Sequence, residues 1–271
     1  MLSVAILVFR ETLEAALILG VVAAASRSVA QSRRALGIGV AAGAAGAVLV
    51  ALFAGVIAAS AQGMGQELFN ATVLGLAVLM LGWHMIWMTR HGAAMAAQAR
   101  QVANEVKQGA RGLSAIVVIV ALVVLREGSE TVLFLHGMFS GGGLTPAAVA
   151  AGGVLGVGAG AAVGYALYAG LLRIPVRWFF SVTGALVLLL AAGMAGQMAR
   201  YLIQADILPG MLDPLWDTSW LLSPETAIGS LLQVLIGYDA RPSATQVIFY
   251  AVTLTLILLG AKLARPPRLN H

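Results

Sequence analysis

Two short stretches carry charges inside otherwise apolar sequence. Residues 8–19 read V-F-R-E-T-L-E-A-A-L-I-L, and residues 124–135 read V-L-R-E-G-S-E-T-V-L-F-L. Arg10, Glu11, Glu14, Leu17 and Leu19 recur as Arg126, Glu127, Glu130, Leu133 and Leu135, each 116 residues on. On a helix turning about 100° per residue, Arg10 and Glu14 stand about 40° apart and Glu11 about 60° from Glu14. Residues three and four apart share a face, so each copy aims two carboxylates and one guanidinium at a common space.

The chemistry open to such a pair is cation binding. Four carboxylates make an oxygen-rich array for a hard or borderline ion, and the chain has no Cys to supply a thiolate or a disulfide. With every Glu ionised, Glu11, Glu14, Glu127 and Glu130 with Arg10 and Arg126 sum to −2 (four negative, two positive). A divalent ion neutralises that charge and a trivalent ion leaves +1, so the count does not choose the oxidation state. A blander reading makes Arg10–Glu14 and Arg126–Glu130 intrahelical ion pairs that lock two helices together. It accounts for one Glu per helix and leaves Glu11 and Glu127 unpaired. An enzyme is not expected: four His without an H-E-x-x-H pattern, and no Cys, supply no catalytic constellation. A sensor or scaffold is a poor fit too, because little soluble sequence is left to pass on a signal.

The elements that must carry these residues follow from composition. Of 271 residues, 60% are hydrophobic and 10% charged, against about 25% charged in soluble domains. A membrane span needs about 20 mostly apolar residues, and seven stretches qualify: 2–25, 35–59, 67–89, 113–138, 146–172, 178–203 and 244–262. No barrel-like alternation is present, so the expected fold is an all-α integral membrane bundle of seven transmembrane helices. Met1 runs into the first span without a basic n-region, so that span is expected to be retained.

Basic residues set the direction. Arg27, Arg33, Arg34, Arg90, Arg100, Lys107, Arg111, Arg173, Arg177, Lys262, Arg265 and Arg268 fall on one side if the spans alternate. Only Arg200 and Arg241 fall on the other, which places the N-terminus outside and the C-terminus inside. The net charge of +5 is therefore a topology signal, and nucleic acid is not an expected partner. Three spans separate the two motif copies, so the second helix enters from the opposite side. The single permease domain 1–271 then divides into repeat one (1–89), an inverted repeat two (113–203), an outer loop (204–243) and a seventh span (244–262). Secondary transporters with inverted repeats bind cargo near the midplane between them.

Depth agrees with that. Counting from residue 2 to Glu11 and from residue 138 back to Glu127 puts both about 14–17 Å deep in a core about 30 Å thick. Six charged residues facing lipid unpaired would cost on the order of 15–20 kcal/mol. They must pair, face a wet cavity or bind something.

At these residues the sequence resembles the oxidase-dependent high-affinity iron permeases, which include fungal iron permeases and bacterial EfeU-type transporters. The resemblance rests on R-E-T-L-E at 10–14 and R-E-G-S-E at 126–130, with L-W-D-T-S-W at 215–220, G-Y-D-A-R-P-S at 237–243 and A-A-G-M-A at 191–195. It implies that Glu11, Glu14, Glu127 and Glu130 coordinate iron during passage while Arg10 and Arg126 hold the carboxylates in place. Iron is then the transported substrate, with no prosthetic group. The resemblance also implies a bacterial cytoplasmic (inner) membrane and a periplasmic or extracellular ferrous oxidase or iron-delivery protein as partner. Gly commonly follows the first Glu in this family; Gly128 matches and Thr12 departs, which bears on helix packing there. The competing transport reading is a permease or proton-coupled exchanger for another divalent metal, such as manganese or lead.

Other residues are candidates for an access path: Glu67, His136, and Asp213, Asp217 and Glu225 of the outer loop. For Glu67 a solvated span end is the plainer account. His84 reads as a buried histidine hydrogen-bonded to a neighbour, in preference to the alternative of a metal ligand. Met80, Met85, Met88, Met194 and Met198 read as core packing, and Trp216 and Trp220 as headgroup anchors. Gly152, Gly156, Gly160 and Gly164 form a small-residue ridge for a close helix contact within the protomer.

Overall fold

A computed structural model of the chain describes residues 1–60, 65–140, 145–170, 176–222 and 226–264, and these contain helices and no strand. The helices are α1 (Leu2–Ala25), α2 (Ser32–Ser60), α3 (Gln66–Lys107), α4 (Ser114–Ser140), α5 (Pro146–Tyr168), α6 (Val176–Gln204), α7 (Ala227–Ile236) and α8 (Ala244–Ala264). Five segments are long and apolar enough to cross a membrane: Ser32–Val56, Gln66–His91, Pro146–Tyr168, Ser181–Gln204 and Ala244–Ala264. With 24 and 27 residues, α1 and α4 reach about 36 and 40 Å at 1.5 Å per residue. They match the five in length. They differ in holding three charges each, the motif itself, and so composition alone does not mark them.

Two elements depart from the sequence reading. The stretch 204–243, read as a loop, contains α7, whose first turn is capped by Thr226 accepting from the Gly229 N–H at 3.0 Å. Its C-terminus turns at Gly237 with φ +70°, a left-handed conformation that glycine adopts without strain. Ten residues, about 15 Å, are half of what a span requires. Helix α3 also runs well past the expected span end at residue 89, to Lys107. Met95, Ala99, Ala103 and Val106 continue a helical stripe that packs against Ile18, Val22, Ala35, Ile116, Val120 and Val123. That packing supplies the reason for the extension.

The tightest helix pairs are α1 with α5 and α2 with α4. Both are glycine contacts, in matching register. A Cβ built on Gly152, Gly156 or Gly160 would lie 2.9, 2.7 and 2.7 Å from Cβ of Val4, Val8 and Thr12. In the other pair, a Cβ on Gly39 or Gly43 would lie 2.8 and 2.7 Å from Cβ of Val120 and Val124, and one on Gly128 would lie 2.6 Å from Cβ of Ala47. Such approaches need the absence of a side chain on one helix, which lets backbones meet closely. At the third level the small residue changes sides: Gly160 accommodates Thr12 on α1, whereas Gly128 on α4 itself leaves room for Ala47. The departure at Thr12 is thus compensated on the facing helix, and the expected intraprotomer role of the α5 glycines holds. Contacts advance in the same direction along both partners, so the helices of each pair run parallel.

Apolar packing forms two layers. Val4, Leu7, Leu74, Leu81, Phe134, Met138, Val187, Leu188 and Met194 make one, toward the start of α1 and the end of α4. The α3 extension makes the other. Met80, Met85 and Met198 pack against the first layer, as expected. Between the layers lie the motif residues.

The segment before α7 is tied to the segment after it. Leu215 N–H donates to Pro242 O at 2.8 Å and Thr218 N–H to Ala240 O at 2.9 Å, while Arg241 Nε meets Asp217 Oδ2 at 2.9 Å. Trp216 and Trp220 are exposed, as headgroup anchors would be. Hydrogen bonds from the Ser219 hydroxyl and backbone N–H, with the Arg241 guanidinium, hold the Asp217 carboxyl down at about 2. Because the folded value is depressed, this contribution is present above the ordinary carboxylate range and lost as pH falls through about 2.

Two predictions follow from these contacts. Gly156→Leu lowers the thermal unfolding midpoint of the detergent-solubilised protein by the equivalent of about 1–3 kcal/mol or more. Gly158→Leu, where an added Cβ meets nothing within 4 Å, leaves it within about 1 kcal/mol; equal effects would refute the packing account. In a carboxyl NMR titration Asp217 has its midpoint near 2, and Ser219→Ala moves it upward. An ordinary carboxylate midpoint in the parent would contradict the assigned bonds.

Candidate metal centre

Helices α1 and α4 each present their motif on one face, and α3 crosses between them carrying His84. On α1, Arg10 Nη1 donates to Glu11 Oε1 at 2.8 Å and Nη2 meets Glu14 Oε1 at 2.8 Å. On α4, Arg126 Nε donates to Glu130 Oε1 at 3.0 Å and lies 3.9 Å from Glu127 Oε1. Both i,i+4 ion pairs of the bland reading therefore form. They do not exhaust the site.

His84 ties the two helices together. Its Nδ1 contacts Glu130 Oε2 on α4. Its Nε2 lies 3.2 Å from Arg10 Nη2, and 3.8 Å from both Glu11 Oε2 and Glu14 Oε2 on α1. Glu11, His84, Glu127 and Glu130 each bring a ligand atom within 4.8 Å of all the others. Glu11, Glu127 and His84 are only 1%, 2% and 3% exposed.

The carboxylates are undersupplied with donors. Glu11 Oε2, Glu14 Oε2, Glu130 Oε2 and both oxygens of Glu127 are buried and accept no hydrogen bond. An unmet buried acceptor costs about 1–3 kcal/mol, and more when charged. The oxygens of Glu11, Glu127 and Glu130 and the His84 imidazole are close enough together to hold a cation. Carboxylate and imidazole together fit borderline first-row ions.

The two halves are not equivalent. Arg10 is enclosed, while the Arg126 and Glu130 side chains are 26% and 18% exposed. Arg126 lies over the Trp87 ring at 4.1 Å from its centroid and donates toward Met95 Sδ at 2.9 Å and Met88 Sδ at 3.7 Å. Met88, read as core packing, is instead an Arg126 neighbour. It also lines a cavity of about 470 Å³ with Arg10, Glu14, Leu17, Ile18 and Met85. The cavity thus begins at the motif and follows α1 and α3 toward their C-terminal ends.

The structure brings Glu11, Glu127 and Glu130 together around His84, with Arg10 and Arg126 paired to them, whereas Glu14 stands beside that set, joined through Arg10 at 2.8 Å and 3.8 Å from His84 Nε2. Glu11 departs from the expectation in one respect, because it shares the Arg10 guanidinium through one oxygen and so is not unpaired. The access candidates stand elsewhere. Glu67 and Asp213 are exposed, Asp217 is engaged by Ser219 and Arg241, and His136 is half-buried on α4 outside the cluster. Glu225 lies outside the described residues. His84 was read as a hydrogen-bonded core histidine, which it is, yet it also occupies the middle of the cluster. The available signal was the one that marked the glutamates, an ionisable side chain inside an apolar span. A histidine can be neutral, so the penalty that singles out a buried carboxylate does not single out His84.

Known proteins bear on this geometry. The sequence model described as "Iron permease FTR1 family" matches residues 1–264. The chain is 30% identical over 267 residues to "Ferrous iron permease EfeU" of Shigella sonnei (strain Ss046), covering 97% of this chain and 95% of the relative. The same figures hold for the protein of that description from Escherichia coli O157:H7. They hold also for "Putative inactive ferrous iron permease EfeU" of Escherichia coli (strain K12). No solved structure matches significantly. By the match along nearly its whole length, the chain belongs to the iron permease FTR1 family.

Proposed function

We propose that this protein is a multi-pass permease of the bacterial cytoplasmic membrane that imports iron through the carboxylate centre between α1 and α4. The observation that carries this is the convergence of Glu11, Glu127 and Glu130 on His84, with Glu14 beside them and five buried carboxylate oxygens lacking any donor. Family membership and relatives described as ferrous iron permeases support iron as cargo. Arg10 and Arg126 act as positioning residues: each holds one oxygen of its carboxylates and leaves the others for the ion.

The same proposal includes seven spans in an inverted 3+3 arrangement plus α8. Support comes from the matched glycine contacts. Residues 120, 124 and 128 of α4 stand to Gly39, Gly43 and Ala47 as residues 4, 8 and 12 of α1 stand to Gly152, Gly156 and Gly160. The parallel course of α1 with α5, and of α2 with α4, is what alternating spans require. In the orientation given by the basic residues, the cavity beside Arg10 and Glu14 faces the cytoplasm. The apolar layer around Leu7, Leu74, Leu81 and Phe134 then separates the centre from the outside. Glu14, which belongs to both centre and cavity, passes the ion inward. An oxidase or iron-delivery protein meeting the outer segment 204–243 completes the proposal, on the family resemblance.

Glu11→Gln, Glu14→Gln, Glu127→Gln or Glu130→Gln removes the negative oxygen while keeping the side-chain shape. Each lowers radiolabelled iron uptake into proteoliposomes by more than about a hundredfold while insertion is preserved. Parental flux in the quadruple variant would sink the assignment. Repeating the assay with ferrous and ferric iron, with and without a proton gradient, identifies cargo and driving force together.

A further inference from the structure

We propose that His84 is itself a cargo ligand and the specificity-determining group of the centre, making it a nitrogen–oxygen site that selects ferrous iron over hard divalent ions. This rests on the reading of the glutamate cluster as the transport site and adds to it a donor that lies outside both motifs.

The hydrogen bonds around the ring assign its proton. A guanidinium can only donate, so His84 Nε2 accepts from Arg10 Nη2 at 3.2 Å. The proton is then on Nδ1, which stands in contact with Glu130 Oε2. A metal-binding histidine is commonly placed so, with the unprotonated nitrogen toward the ion and the other nitrogen against a carboxylate. The ring is fixed further by the buried Phe134, which meets it edge-on at 6.2 Å and 77°.

What Nε2 faces decides the role. Glu11 Oε2 and Glu14 Oε2 each lie 3.8 Å from it, and neither accepts a hydrogen bond. Both stand close to the ~3.4 Å spacing of tetrahedral ligands held ~2.1 Å from an ion. An ion there takes the Nε2 lone pair from Arg10. The guanidinium keeps its bonds to Glu11 Oε1 and Glu14 Oε1, both at 2.8 Å, so it need not leave.

Selectivity follows from ligand chemistry. Carboxylate oxygens alone suit magnesium, calcium and manganese, whereas an imidazole suits iron and its later neighbours. His84 is the sole nitrogen ligand in the cluster among the described residues. Removing it should cost more affinity for ferrous iron than for manganese.

The test uses purified full-length protein under anaerobic, reducing conditions, with ferrous iron and manganese affinities measured by equilibrium dialysis. His84→Gln is expected to lower the preference for ferrous iron over manganese about tenfold or more, whereas Glu127→Gln weakens both ions. X-ray absorption at the iron edge of the loaded parent is expected to show imidazole scattering, a readout that needs no variant and stands even if His84→Gln fails to fold. Absence of that scattering, or an unchanged preference in a folded His84→Gln, overturns the role of His84. If Glu127→Gln meanwhile loses binding, the glutamate site stands without it. Parental binding in Glu127→Gln would instead remove the site reading.

Discussion

Charge taken out of water is the constraint on which the molecule is organised. Four carboxylates and two guanidiniums sit at the centre of an apolar bundle, where each facing lipid alone would cost about 2.5–3.5 kcal/mol. The ion pairs Arg10–Glu11, Arg10–Glu14 and Arg126–Glu130 offset part of that. The offset is incomplete, since both Glu127 oxygens and one each of Glu11, Glu14 and Glu130 lack donors. A site that closed all its own hydrogen bonds would gain little from an ion. One left short by a few interactions binds a cation and can also release it.

Holding such a deficit open requires a stiff frame. Were α1 and α4 free to shift by an ångström, the carboxylates would find donors or separate. The glycine contacts of α1 on α5 and of α2 on α4 bring backbone against side-chain Cβ with no room for adjustment, and α3 braces both motif helices through His84. The exposed outward faces of α2 and α5 are apolar, as lipid contact demands. Packing toward the interior and solvation toward lipid are thus divided between faces of the same helix.

The centre is also asymmetric in a way that two similar motifs do not suggest. Arg10 is enclosed by carboxylates and imidazole, whereas Arg126 rests on Trp87 and two methionine sulfurs at the partly open side. The second arrangement adds ring quadrupole and polarisable sulfur to the Glu130 carboxylate as partners of the guanidinium.

Much of this was legible in the sequence because hydrophobic runs and charge placement are local properties. The helical course of the apolar stretches, the two motifs and their shared helical faces needed only length, period and composition. What eluded that reading depends on partners distant in the chain. Helix α7 is short and rests on α6, so no long apolar run announces it. The α3 extension exists because a stripe ending at Val106 meets residues of α1, α2 and α4. Thr12 is accommodated by Gly160, 148 positions later (160 minus 12). Local pattern is enough to place six charges within apolar helices, where they must be satisfied. Which oxygens stay unsatisfied, and that His84 stands among them, depends on how three helices far apart in the chain come together.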